Sequence, residues 1–92
     1  PSSAPLGMTV EPLPTELQES LGISGGVLVA EVARGPALDA GIRPRDVITE
    51  LNRRKVTSVE DFREAVSSLP DDSAVSVRVV RQGRATYLVM KP

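Results

Sequence analysis

The segment formed by residues 26–52 constrains the fold of this chain more than any other part of it. It contains a mostly apolar run at 27–32, a Gly-Pro step at 35–36, a glycine at Gly41 and the strand-like stretch Val-Ile-Thr-Glu-Leu at 47–51. Proline is tolerated at the first helical position because its missing N–H has no helical partner there, and glycine is favoured just after the last turn. The segment therefore predicts a buried strand, a turn, a short helix and a second strand.

The residues before this segment predict a strand followed by a short helix. Residues 8–11 alternate apolar and polar side chains, and Pro12 ends the strand because it has no N–H to donate. Thr15 is expected to cap a helix, since Gln18 stands three residues later as in a capping box. Gly22 is expected to end that helix.

The residues after the segment predict a longer helix and a hairpin. Ser58 with Asp61 three residues later forms a capping box before an apolar stripe, which indicates an amphipathic helix over 59–69 that Pro70 ends. Two alternating runs on either side of the Gln82-Gly83 step predict a β-hairpin. The whole order predicts an α+β protein, mainly β, in which five to six strands and two helices form a small, partly closed barrel or sandwich.

Composition excludes several classes of function. The 92 residues suit one domain, and they contain neither His nor Cys, which removes His-based catalysis, His-ligated metals, disulfides and thiolate zinc sites. Eleven basic against twelve acidic residues give no general attraction to nucleic acid or anionic lipid. No apolar run approaches the length of a membrane span. We therefore expect a soluble domain that is not an enzyme, with no cofactor, no metal, no nucleic-acid partner and no direct membrane insertion.

Residues 26–52 and 56–66 together resemble a bacterial PDZ domain, and most closely those of the HtrA/Deg family of periplasmic serine proteases. The opening strand at 6–11 and the ending at 87–91 look most like the second, C-terminal PDZ domain of that family. The likeness covers residues 6–91, whereas residues 1–5 look like linker or sequence left from expression. The resemblance implies a PDZ-type partly open barrel in the circularly permuted bacterial arrangement, a periplasmic location and a trypsin-like serine endopeptidase as the parent protein.

Two departures from the family pattern concern turns. Pro36 follows Gly35 directly, whereas the family usually has one more residue between these two positions. Arg45 stands where the family usually has a glycine before Asp46. The arginine puts a β-carbon where a positive φ is expected, at a cost of about 1 kcal/mol.

The resemblance also implies a peptide-binding groove. PDZ domains bind an extended peptide as an added strand at a sheet edge, between that edge and a helix. The implied groove lies between strand 8–11 and helix 59–69, and the amides of the apolar-Gly-apolar step at its start would bind the peptide's terminal carboxylate. Side chains on both walls would form an apolar pocket, and an arginine at the helix edge is either a peptide contact or simply solvated. The implied peptide-binding residues are Leu6, Gly7, Met8, Thr9, Val10, Phe62, Arg63 and Val66.

Three functions remain open from the sequence. The first is capture of unfolded or C-terminal apolar peptides for a protease. The second is docking on neighbouring protease and PDZ domains to assemble an oligomer, with little peptide affinity. This alternative is open because residues 2–5 carry no cation that could assist in binding a carboxylate. A basic cluster at Arg43, Arg45 and 53–55 also suits a solvated or inter-domain surface. The third is a PDZ domain of another bacterial membrane or secretion protease.

Overall fold

The fold is built around one antiparallel sheet with helices on both faces. The computed structural model describes residues 7–69, 74–81 and 83–91. In chain order its elements are β1 (Met8–Pro12), α1 (Thr15–Leu21), β2 (Val27–Val32), α2 (Pro36–Ala40), β3 (Val47–Leu51), β4 (Arg54–Lys55), α3 (Val59–Ser67), β5 (Val75–Arg81) and β6 (Arg84–Met90). The strands lie in the order β1-β2-β3-β5-β6, and β4 pairs with β3. The predicted class, α+β and mainly β, is confirmed, with three helices among the described residues instead of two.

The main core lies between one face of the sheet and the helices α2 and α3. Alternate residues of the strands point into it, such as Val27 and Val29 of β2, whose neighbours Leu28 and Ala30 are only half-buried. Phe62 of α3 is the largest fully buried side chain among the described residues. Because the rest of the core is almost entirely aliphatic, this ring fixes α3 against the sheet, where the helix contacts β1 and β3.

A smaller cluster covers part of the opposite face of the sheet. Leu13, Val47 and Val80 are buried there beneath Leu21 and Ile23, which belong to α1 and the turn after it. This packing explains why a helix of seven residues is stable, since so short a helix gains little from its own hydrogen bonds.

Helix ends agree with the sequence at both ends of α2, at the start of α3 and at the end of α1, where Gly22 is left-handed. The end of α3 and the start of α1 differ, since α3 stops at Ser67 and not at residue 69. Pro36 is the first residue of α2, and Gly41 ends it in the left-handed conformation. The prediction that Thr15 caps α1 was wrong: Pro14 occupies the N-cap position and Thr15 is the first helical residue. Gln18 instead donates its amide to the carbonyl of Leu13 at 3.1 Å, which holds the strand-to-helix turn.

Among the residues that the structure describes, three other than glycine have positive φ, and all lie in the turns at the two ends of β3. Arg45 has φ +77°, as the replaced family glycine predicted, and Asn52 and Arg53 have +53° and +68° in the β3–β4 turn. Asparagine tolerates this conformation, whereas an arginine there raises the backbone energy. The backbone is therefore locally strained at these two arginines.

An ion pair between a buried carboxylate and a partly exposed arginine joins the loop after α2 to the end of β5. The carboxylate of Asp46 is 2% exposed and accepts hydrogen bonds from Arg81, at 2.8 Å from Nε and 2.6 Å from Nη2. The backbone N–H of Arg43 donates to the same carboxylate at 2.9 Å, and Arg81 Nη2 also donates to the carbonyl of Gly41. Both carboxylate oxygens are thereby satisfied, so the buried charge is compensated.

Candidate functional site: the groove between β1 and α3

The strand β1 is an edge strand with one hydrogen-bonded neighbour in the described sheet. It pairs antiparallel with β2 from Met8 opposite Val32 to Pro12 opposite Val27, with a bulge opposite the Thr9-Val10 step. Its other edge lies on the side of α3, which contacts β1. An unpaired row of N–H and C=O groups beside an apolar helix is the arrangement that accepts an added strand.

The backbone pattern identifies which groups of β1 point to the free edge. The carbonyl of Gly7 accepts the N–H of Ala33 at 2.7 Å, so Gly7 faces β2, and the next residue, Met8, faces away from it. Val29, opposite Val10, directs its N–H to Asp46 and its C=O to Arg45, both on the β3 side. Val10 therefore also faces the free edge.

Pro12, two residues after Val10, limits how much of the free edge of β1 can pair with a peptide. It faces the free edge as Met8 and Val10 do, but a proline has no N–H to donate. The free edge of β1 thus offers the N–H groups of Met8 and Val10 and the carbonyls of all three residues. A peptide pairing with β1 forms only a short ladder.

Gly7 occupies a tight turn at the start of β1. Its φ is +83°, and a β-carbon there would lie 3.0 Å from the carbonyl oxygen of Arg34 and 3.3 Å from that of Ala33. Both the conformation and the close approach require glycine. The resemblance implied that the amides at this turn bind a peptide carboxylate. Leu6, the other apolar residue of that step, lies outside the described residues.

One edge of α3 is occupied by β4, which shows that the other edge faces β1. Arg54 of β4 donates to the hydroxyl of Ser68 at 3.1 Å and pairs with the carboxylate of Glu64 at 3.9 Å. At 100° per residue, the opposite edge carries Val59, Arg63 and Val66, spaced i, i+4 and i+7. The two valines are half-buried and the arginine is exposed.

An open cleft confirms this orientation at one end of the groove. It is lined by the end of β1 at Pro12 and Leu13 and by the start of α3 at Val59 and Glu60, and its volume is about 480 Å³. The start of α3 therefore lies beside the end of β1, and the two elements run in opposite directions. Val66 lies toward the Gly7 end of the groove and Val59 toward the Pro12 end.

A hydrogen-bonded cap fixes the start of α3. The hydroxyl of Ser58 accepts the N–H of Asp61 at 3.2 Å, as the capping box predicted. The Asp61 carboxylate accepts instead from Thr57, through its hydroxyl and its N–H, and these two bonds hold the pKa of Asp61 below its usual value. The cap positions Val59 and Glu60 at the cleft.

The residues expected to line the groove fall into two groups by burial. Met8 and Phe62 are fully buried and belong to the main core, so neither side chain is accessible from the groove. Val10 and Val66 are half-buried, and Thr9 and Arg63 are exposed, Thr9 on the face of the sheet opposite α3. Val59 was not among the residues expected to bind peptide, although its i, i+7 spacing to Val66 places it on the same edge of the helix.

The expected basic cluster is not one patch in the structure. Arg43 and Arg45 precede β3, whereas the basic residues at 53–55 follow it. Five residues of extended strand separate the two groups by about 17 Å, at a rise of roughly 3.4 Å per residue. Residues close in sequence thus lie at opposite ends of a strand.

Comparison with known proteins agrees with this fold. A family model described as PDZ domain matches residues 4–90. A probable periplasmic serine endoprotease, DegP-like, from Pseudomonas savastanoi pv. phaseolicola is 49% identical over 90 residues, which are 98% of this chain and 19% of that protein. A relative of the same name from Pseudomonas fulva is 47% identical, with the same shares of the two chains.

Two solved structures are similar as well. The HtrA-type protease AlgW S227A with a decapeptide superimposes with a TM-score of 0.85 and 32% identity, covering 94% of this chain and 27% of that one. The HtrA3 PDZ domain bound to a phage-derived ligand (FGRWV) superimposes with a TM-score of 0.77 and 25% identity, covering 95% of this chain and 82% of that one.

A six-stranded open sheet whose edge strand lies beside an amphipathic helix is the arrangement of a PDZ-type domain, and the chain belongs to the PDZ domain family. Its likeness to HtrA-type protease domains, expected from the sequence, is confirmed by these relatives, whose names also confirm the expected periplasmic location. The chain spans only 19% of the length of the DegP-like relatives. Among residues 7–69, 74–81 and 83–91, no helix is long and apolar enough to cross a membrane.

Proposed function

We propose that this domain binds the C-terminal or unfolded apolar segments of other proteins by strand addition at the free edge of β1. The single observation that carries the proposal is that Met8 and Val10 direct their backbone groups away from β2, toward the side on which α3 lies. Similar HtrA-type structures, one with a decapeptide and one bound to a phage-derived ligand, support it. The parent protein, by the names of its relatives, is a serine endopeptidase, and this domain presents substrates to it without taking part in the chemistry.

The peptide runs antiparallel to β1, with its C-terminus at Gly7. Its terminal carboxylate meets the amides of Leu6, Gly7 and Met8, as the resemblance implies. Its last side chain packs against Val66, while Met8 and Phe62 support the groove from the core beneath. The exposed guanidinium of Arg63 stands midway along the helix edge, where it contacts a carbonyl or an acidic side chain of the peptide.

Amide hydrogen exchange tests this arrangement residue by residue. Added peptide is expected to slow exchange at Met8 and Val10, whose N–H groups face away from β2 by the alternation of the strand. Thr9 and Glu11 serve as internal controls, because they already face β2 and should change little. Binding that leaves Met8 and Val10 unprotected would show that the peptide does not add to this edge.

A second function, docking to a neighbouring domain of the parent chain, is favoured by the opposite edge of the sheet. Tyr87 and Val89 of β6 are 63% and 60% exposed, and their alternation places both on one face of that edge strand. Sedimentation of a longer chain that includes the preceding domain tests this function. Replacing Tyr87 and Val89 with serine should separate the domains if docking is correct and should leave peptide affinity unchanged.

A further inference from the structure

We propose that the cleft at the Pro12 end of the groove is a subsite for a lysine or arginine side chain, provided by the fifth residue from the C-terminus of the bound peptide. The inference rests on the proposed strand addition and adds a specificity to it. The cleft's volume is about 480 Å³, and its lining includes Pro12, Leu13, Gln18, Thr57, Val59 and Glu60.

The register of an added strand leads to this cleft. With the last peptide residue opposite Met8, antiparallel pairing places the third residue from the C-terminus opposite Val10 and the fifth opposite Pro12. Residues opposite one another in a sheet extend their side chains to the same face. Met8 and Val10 extend theirs toward the core and α3. The fifth residue therefore directs its side chain toward the start of α3, where the cleft lies.

The lining suits a long side chain with a cationic end. Pro12, Leu13 and Val59 provide an apolar wall for methylene groups, and lysine and arginine bury such stems while their charge stays solvated. The amide nitrogen of Gln18 is already bonded to the carbonyl of Leu13, which leaves its oxygen to accept a hydrogen bond. The polar end of the cleft therefore offers acceptors.

The charge at the cleft has the right sign. Of the side chains that line it, Glu60 is the charged one, and none of the ion pairs formed within residues 7–69, 74–81 and 83–91 uses it. The groove then changes sign along its length, because Arg63 stands one turn further along α3. A cation is favoured at the fifth residue and disfavoured nearer the C-terminus.

The test compares two labelled decapeptides with the same apolar C-terminal residue and either Lys or Glu at the fifth position from the end. The wild-type chain should bind the lysine peptide about two- to fivefold more tightly, the range of one exposed ion pair. Glu60→Gln should remove the preference, and Glu60→Lys should reverse it. Glu64→Gln is the control for overall charge, because Glu64 lies one helical turn beyond Glu60 and is already paired with Arg54, and it should keep the preference.

The possible results distinguish the subsite from strand addition itself. Equal binding of both peptides by the wild type, or a preference that survives Glu60→Gln, overturns the subsite but leaves strand addition intact. Failure of the wild type to bind either peptide, although its amide spectrum is that of a folded domain, overturns the proposed function and this inference with it. A preference lost in Glu64→Gln as much as in Glu60→Gln also contradicts the subsite, because it assigns the effect to overall charge.

Discussion

Gly7 and Arg34 approach so closely that a β-carbon on Gly7 would lie 3.0 Å from the carbonyl oxygen of Arg34. Since Gly7 also has φ +83°, Gly7→Ala must shift the turn that begins β1. We expect this variant to lose peptide affinity about tenfold, equivalent to roughly 1.4 kcal/mol. Gly83→Ala is the control, because Gly83 has φ +81° and nothing within 4 Å of its β-carbon position. Equal affinity of the Gly7 variant and the wild type would show that this turn does not contact the ligand.

Arg45 strains the loop before β3, and removing the strain should stabilise the fold. Arg45 has φ +77°, so Arg45→Gly is expected to raise the free energy of unfolding by about 0.5–1 kcal/mol, the net of relieved strain and added chain entropy. Urea denaturation measures the change. Arg43→Gly, two residues earlier and not among the residues of positive φ, should destabilise. A lower stability for Arg45→Gly would mean that the arginine side chain forms a stabilising contact.

The Asp46–Arg81 pair should be costly to break from the arginine side. Arg81→Met leaves the buried carboxylate of Asp46 with the N–H of Arg43 as its remaining partner, and we expect a loss of about 2–3 kcal/mol in the free energy of unfolding. This magnitude is reduced because the arginine is 42% exposed. Arg84→Met removes an exposed arginine directly opposite Arg81 at the turn of the hairpin, one that takes part in none of the ion pairs of the described residues, and it should change stability little. A small effect of Arg81→Met would show that water replaces the guanidinium.

The cap of α3 makes stability depend on pH. Hydrogen bonds from Thr57 lower the pKa of Asp61 in the folded chain relative to the unfolded chain, where it is about 3.9. The stabilisation is therefore fully present above the unfolded pKa and is lost as the pH falls through the lower, folded pKa. The stability difference between wild type and Asp61→Asn, measured in urea from neutral to acidic pH, should shrink in that acid range. A difference that stays constant throughout contradicts this role.

Helix ends were predicted best from residues that are favoured at only one position of a helix. Pro36, Gly41 and the Ser58–Asp61 pair each mark a helix end because few other positions accept or need them. Thr15 was misassigned because Pro14 can also begin a helix, and the adjacent proline occupied the cap position. Local patterns thus fix element ends unless two neighbouring residues suit the same position.

The groove was less predictable because it depends on which edge of a helix meets which strand. The apolar period of α3 identifies its buried face but does not distinguish Phe62, at the centre of that face, from Val66, at its edge. The pairing of Arg54 with Glu64 across to β4 resolves the two edges, and it is a tertiary contact that no local pattern contains. Substituting Phe62 or Met8 therefore tests the core, and Val66 is the better position for testing the groove.

The most direct test of the account is a titration of one labelled decapeptide with an apolar C-terminal residue, as the free acid and as the amide. The wild-type chain should bind the free acid at micromolar affinity and the amide more weakly, and Val66→Glu should abolish binding of both. Val89→Glu places the same substitution at an exposed position on the opposite edge strand and should bind as the wild type does. Unchanged affinity in Val66→Glu, or equal loss in Val89→Glu, would contradict binding between β1 and α3.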